Sequence, residues 1–145
     1  MSMTELETLL AQQACERLIH SFARANDGRD FDTLAGLLAE EASYARPTDP
    51  DNPMQGREAI VASFQARPAT RITRHIFANT VVTVESATQA SAISDVVLYM
   101  GAAVEQGVAK AEPALVGGFE DRFIKRDGRW LFLARKGSLA LKADA

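Results

Sequence analysis

The hydrophobic period of this chain changes once, near its middle, and that change restricts the fold more than any single motif does. Up to about residue 67, apolar residues recur at helical spacing in three blocks, and from Ile72 onward they alternate through four strand-length runs. Long antiparallel strands joined by hairpins form one strongly curved sheet, and helices gathered in the other half must cover its apolar face. The expected class is therefore α+β, with the helices segregated to one side. At 145 residues the chain is read as a single domain, 1–145.

The punctuation supports this division. Thr4 is suited to cap a first helix, with Glu5 and Glu7 in its opening turn and Leu6, Leu9, Leu10, Cys15, Leu18, Ile19 and Phe22 at helical spacing. Asp27-Gly28 stops it, Gly28 being suited to a left-handed cap. Asp30 can cap a short second helix with Phe31, Leu34, Leu37 and Leu38 on its apolar face. Ala42 to Arg46 reads as a short strand, and residues 47–53, PTDPDNP, as a loop that can sustain neither ladder nor helix. Gly56 leads into a third helix with Ile60, Val61 and Phe64 inward, ending before Pro68. The strands are expected at 72–84, 89–104, 113–125 and 130–141, with a hairpin signal at Asp127-Gly128 and a sheet-bending bulge at Gly117-Gly118. The ends, 1–3 and 142–145, are expected to fray. No internal repeat or low-complexity tract interrupts this order.

Composition narrows the partners. Sixteen basic residues face nineteen acidic ones, a net charge of −3, which argues against nucleic acid or an anionic membrane as the main partner. No stretch approaches the ~18 apolar residues of a membrane-spanning helix, and the opening MSMTELETLL lacks the basic and apolar segments of a secretory signal. The one cysteine, Cys15, lies within the first helical pattern and cannot form an internal disulfide. It is read as a buried, reduced thiol of a cytoplasmic protein.

Four segments in order, FARANDGRDFDTLAGLLAEEASY, GREAIVASF, RHIFANTVV and GFEDRFIKRDGRWLFLAR, make the chain resemble the nuclear transport factor 2-like superfamily, and within it the SnoaL-like group. The resemblance covers nearly the whole chain. It implies a cone: a curved, mostly antiparallel sheet wrapped around three helices, opening into an apolar cavity. Several members of the group are lyases or isomerases of hydrophobic ring compounds. In the dehydratases of the scytalone and bile-acid types, an Asp at the end of the first helix and a His on the first long strand form an acid/base pair. Asp27 and His75 stand at the matching places, and Tyr44 matches a tyrosine on the short strand. Asn26 stands where the scytalone type has a second tyrosine, and Asp95-Val96-Val97 offers no second histidine. The ketosteroid isomerase pattern fits less well, because its tyrosine falls near Phe22 and its base near Arg46.

The chemistry of these residue types agrees with that implication. A buried Asp accepting an imidazole N–H fixes the tautomer and leaves the other nitrogen to take a proton from carbon or hydroxyl. A tyrosine hydroxyl across the pocket can polarise a carbonyl or assist a leaving hydroxyl. The simpler readings are a helix cap for Asp27, a core or surface histidine for His75 and a cavity wall for Tyr44. Phe22, Asn26, Phe64, Phe77, Val96 and Phe119 are expected to line the pocket. Met100, Phe123, Trp130 and Phe132 are expected to add core and lining. His20 and Asp95 are read as exposed, and Glu120-Asp121-Arg122 as a solvated charge ladder. No metal-ligand spacing, phosphate loop or nucleophile elbow is present, so no cofactor is expected.

Two functions follow. One is a cofactor-independent dehydratase or isomerase of a hydrophobic cyclic or polyketide-like molecule. The other is a non-catalytic ligand-binding or scaffold module resembling the small subunit of ring-hydroxylating dioxygenases. In either case the outer face of the sheet needs cover, and the resemblance implies a homodimer or homotrimer.

Overall fold

The computed structural model describes residues 2–143. Among them the elements run α1 (Glu5–Asp27), α2 (Phe31–Gly36), β1 (Leu38–Ala45), β2 (Met54–Gln55), α3 (Arg57–Gln65), β3 (Arg71–Val84), β4 (Gln89–Ala102), β5 (Glu112–Arg126) and β6 (Arg129–Lys142). The six strands form one curved sheet in the order β2-β1-β6-β5-β4-β3. Every neighbouring pair is antiparallel except β1 with β6, which run parallel.

Local chemistry accounts for the helix ends. Thr4 and Glu7 form a reciprocal capping box at the start of α1, satisfying two amides that the helix cannot. Asp30 accepts from the Thr33 amide and hydroxyl and so starts α2. Gly56 precedes α3 at φ 94, a value that strongly favours glycine. Gly28 itself is not left-handed. Its φ is −84, and the left-handed residue that turns the chain is Arg29, at φ 55. Asp127 and Gly128 both have positive φ, as the mirror-image hairpin turns require.

Several expected boundaries and faces shift. Leu38 begins β1 and does not extend α2, because it pairs with the buried Phe132 of β6, and the Phe132 amide donates to the Leu37 carbonyl. The short pairing of β2 with Ser43 and Tyr44 carried no sequence signal. Leu6, Leu9 and Leu10 are exposed, and α1 is buried only from Ala11 onward. On β3 the inward face is Thr73, His75 and Phe77, whereas Ile72 and Ile76 point outward. The expected fraying falls outside the described residues at 1 and 144–145, while β6 keeps its pairing to Lys142. No helix among the described residues is long and apolar enough to cross a membrane.

The core lies between α1 and the concave side of the sheet. Cys15, Ile19 and Phe22 of α1 meet Leu34, Leu38, Ile60, Phe123 and Phe132. The sheet bends at register shifts, among them Ala78/Val81 on β3, Val116/Gly117 on β5 and one between Phe132 and Ala134 on β6. Gly137 permits one close approach: a Cβ there would stand 2.5 Å from the Pro47 nitrogen. The loop after β1 can therefore fold against β6 beside the site described below.

Cys15 is wholly buried, and burial pushes its thiol up to about 12. The native protein should not react with a thiolate-selective reagent at neutral pH, and should react once per chain after denaturation. Rapid labelling of the folded protein would contradict this burial.

Candidate active site

The end of α1 and the middle of β3 meet at one carboxylate. Asp27 Oδ1 lies 2.6 Å from His75 Nδ1 and accepts from the Thr73 hydroxyl at 2.9 Å, while Oδ2 accepts from the His75 amide at 2.9 Å. Thr73 and His75 are two residues apart on one strand face, so a single carboxylate reaches both. Burial pushes the Asp27 carboxyl up, but the His75 ring and amide and the Thr73 hydroxyl outweigh it and hold it below its ordinary value. Asp27 is thus an ionised acceptor, and it takes up Nδ1 of the imidazole. Nε2 remains as the nitrogen able to exchange a proton.

His75 borders two spaces. On the inner side is a cavity of about 310 Å³, near the lower end of the ~300–1,000 Å³ range of small-molecule sites. Tyr44, Phe64, Val96, Leu98, Met100 and Phe119 supply its walls, with Asn26 and Thr73. On the other side is an open groove of about 590 Å³ between α1 and β3, lined by His20, Asp27, Arg74 and Phe77. A larger, open groove of about 730 Å³ on the outer side of α1 is lined by Glu16, Arg17, His20 and Arg24 among others, and does not include His75. The inner cavity sets the histidine against three aromatic rings, those of Tyr44, Phe64 and Phe119, and the groove between α1 and β3 sets it against Phe77.

His75 and Tyr44 share the cavity with Asn26, Phe64, Val96 and Phe119, whereas Asp27 lines the groove on the other side of His75 and is joined to the cavity through that ring. Phe22 is a correction. It lies one layer deeper, stacked on the Tyr44 ring at 5.9 Å, because α1 turns this side toward the core. Phe77 faces the groove and touches Phe119. Asn26 is 3% exposed, and both its carbonyls, side chain and backbone, accept from the Arg67 guanidinium at 2.8 Å. His20 and Asp95 are exposed. Burial pushes the Tyr44 hydroxyl up, and Arg135 and Arg46 offset part of that, so the phenol stays a proton donor.

The reading of Glu120-Asp121-Arg122 as a solvated ladder is overturned for its middle member. Asp121 is 1% exposed and pairs with the equally buried Arg135, at 2.7 and 3.2 Å. The Arg135 guanidinium lies 4.4–5.3 Å from the ring centres of Phe119, Phe132, Phe22 and Phe77, and its Nη1 has no partner. Burial pushes Asp121 up, and Arg135 only partly offsets this. Alternation of Phe119, Asp121 and Phe123 was the available signal for an inward Asp121. Arg135 had none, because the register shift after Phe132 puts residues 132 and 135 on the same face.

Among the described residues no cluster of three or more His, Cys, Asp or Glu could hold a metal ion.

The chain matches the SnoaL-like domain family over residues 7–136 and belongs to that family. No curated protein matches it in sequence. Its fold is that of a candidate scytalone dehydratase from Novosphingobium aromaticivorans, at 22% identity over 98% of this chain and 92% of that one, with a TM-score of 0.83. A hexachlorocyclohexane dehydrochlorinase, LinA type 2, is similar at 19% identity, 95% and 90% coverage and a TM-score of 0.79. A candidate dehydratase of the NTF2-like family from Streptomyces avermitilis follows at 17% identity, 89% and 96% coverage and a TM-score of 0.74.

Removing one member of the buried ion pair leaves an uncompensated charge. Arg135→Met should cost about 3–5 kcal/mol of stability, and Arg135→Met with Asp121→Leu should recover much of it. Denaturant unfolding of the two variants checks this, and equal losses would contradict it.

Proposed function

We propose that this protein is a cofactor-independent lyase or isomerase of a small hydrophobic ring compound, with His75 as the base. The observation that carries the proposal is the 2.6 Å contact of His75 Nδ1 with an Asp27 carboxylate that is itself held by Thr73 and by the His75 amide, beside an apolar cavity. Such a ring is oriented before substrate arrives and needs no reorganisation to accept a proton at Nε2. Proton removal next to a carbonyl, followed by loss of a hydroxyl on the same face or by reprotonation at a neighbouring carbon, are the two courses open to it. Tyr44, kept protonated and within the field of Arg135, is the donor toward the developing or departing oxygen. The printed descriptions of the structural neighbours, two candidate dehydratases and a dehydrochlorinase, support an elimination.

We further propose that the chain self-associates through the convex face of its sheet. Ile76, Val81 and Ile93 there are each more than half exposed, as is Leu141 at the end of β6. Residues 81 and 93 stand opposite each other on neighbouring strands. Exposed apolar area of this kind is usually covered by a partner.

Two outcomes test these readings. With a ring compound identified by screening for elimination or isomerisation, Asp27→Asn should lower turnover by about 10²–10⁴-fold with the fold intact by circular dichroism. An Asp27→Asn enzyme as active as the parent would remove the dyad from the mechanism. For assembly, light scattering should report a dimer or trimer, and Ile93→Glu should shift it to monomer. A monomeric parent protein would end that proposal.

A further inference from the structure

We infer that the compound held in the cavity carries an anionic group, of the carboxylate or phosphate kind, bound at the cavity mouth by Arg46, Arg67 and Arg71. This inference rests on the reading of the cavity as an acid/base site and adds the charge of its ligand.

The cavity carries positive charge and no negative charge in its wall. Its buried walls are Tyr44, Val96 and Phe119, and its outer residues include three arginines and no carboxylate. In a chain with more acidic than basic residues, this is a local reversal of charge. Each arginine comes from a different junction of the fold: Arg46 just after β1, Arg67 just after α3, and Arg71 at the first position of β3. The bonds that position them go to neutral acceptors. Arg46 donates to the Ser63 carbonyl at 3.3 Å and lies over the Phe64 ring, and Arg67 donates to the two oxygens of Asn26. Among the described residues the ion pairs are His75–Asp27, Arg126–Glu41 and Arg135–Asp121, and none involves the three mouth arginines.

Among the described residues no ion pair therefore offsets their mutual repulsion. Burial pushes the Arg67 guanidinium below its ordinary value, Arg29 adds to this, and Arg71 and Arg46 add further, with Asp27 alone acting in the opposite sense. Arg29 is held against Arg67 by a bond to the Arg67 carbonyl at 3.1 Å. The Arg67 Nε is buried with no partner. Arg29, Arg46 and Arg71 thus act on Arg67 as like charges, and the one carboxylate that acts on it, Asp27, is already bonded to His75 and Thr73. Guanidinium forks suit carboxylate and phosphate oxygens, whereas a neutral ligand would leave the repulsion in place. A ring seated against Val96 and Phe119 with its charge toward Arg46 and Arg71 would share the cavity with His75.

Binding tests this without knowledge of the natural substrate. The probes are 2-naphthoate, 2-naphthyl phosphate and the neutral 2-naphthamide, measured by titration calorimetry on the full chain. One or both anions should bind roughly tenfold or more tightly than the amide. The advantage should shrink at about 0.5 M salt and disappear in Arg46→Gln/Arg71→Gln. Both substituted residues are exposed, and a thermal melt checks that the double variant is folded. Equal binding of amide and anions, or a preference that survives in the folded double variant, overturns the inference while leaving the acid/base reading of His75 in place. If no probe binds the parent protein, the cavity is not a ring-binding site and both readings fall.

Discussion

The carboxylate of Asp27 joins the helical half of this protein to its sheet. It ends α1, and it accepts a hydroxyl, an amide and an imidazole from adjacent inward residues of β3. A half-buried carboxylate with three donors stays ionised at the expense of its own desolvation. The same three bonds dock a helix, set the register of helix end against strand, and hold a histidine ring in one tautomer. Structural and chemical roles cannot be separated at this residue, because the donors that stabilise its charge include the group that would do the chemistry.

A second buried charge lies behind the first. Arg135 and Asp121 sit opposite each other on neighbouring strands, under Tyr44 and among four phenylalanine rings. A pair buried this deeply is a poor device for stability, since hydrophobic residues of similar volume would pack as well without the desolvation cost. What it supplies is a fixed field. The guanidinium acts on the Tyr44 hydroxyl against the effect of burial, in a region where solvent does not screen it. The cavity is thus bounded by a negative group behind its histidine, a positive one beneath its tyrosine, and arginines at its mouth.

The family likeness and the site geometry bear on different links of the argument. Neighbours at 17–22% identity share the cone and its topology, and one fold of this kind can host many reactions. The elimination chemistry proposed here rests on the oriented imidazole and the apolar wall beside it. The ligand's charge rests on the mouth, where β1, α3 and β3 each deliver an arginine. These three junctions are far apart in the chain, and they converge because the sheet curls over the end of α1.

Period and punctuation were enough to determine the order of the three helices and of every strand but β2, the caps at Thr4 and Asp30, the Asp127-Gly128 hairpin and the buried stripe from Cys15 to Phe22, because each depends on residues within a turn or two of one another. His75 and Phe77 on one strand face, and Asp27 at a helix end, were legible for the same reason, and the resemblance suggested where they would meet. Only the tertiary structure decided the rest. A register shift on β6 reversed the phase of its alternation and carried Arg135 inward to Asp121. Pairing with Phe132 drew Leu38 out of a helical pattern into β1. The exposed leucines at the start of α1 have the spacing of a core stripe, yet the sheet does not extend over them. Local rules describe which faces a segment has. Which face is buried, and which charges meet, is set by the curvature of the whole sheet, a sum over bulges and pairings that no window of sequence contains.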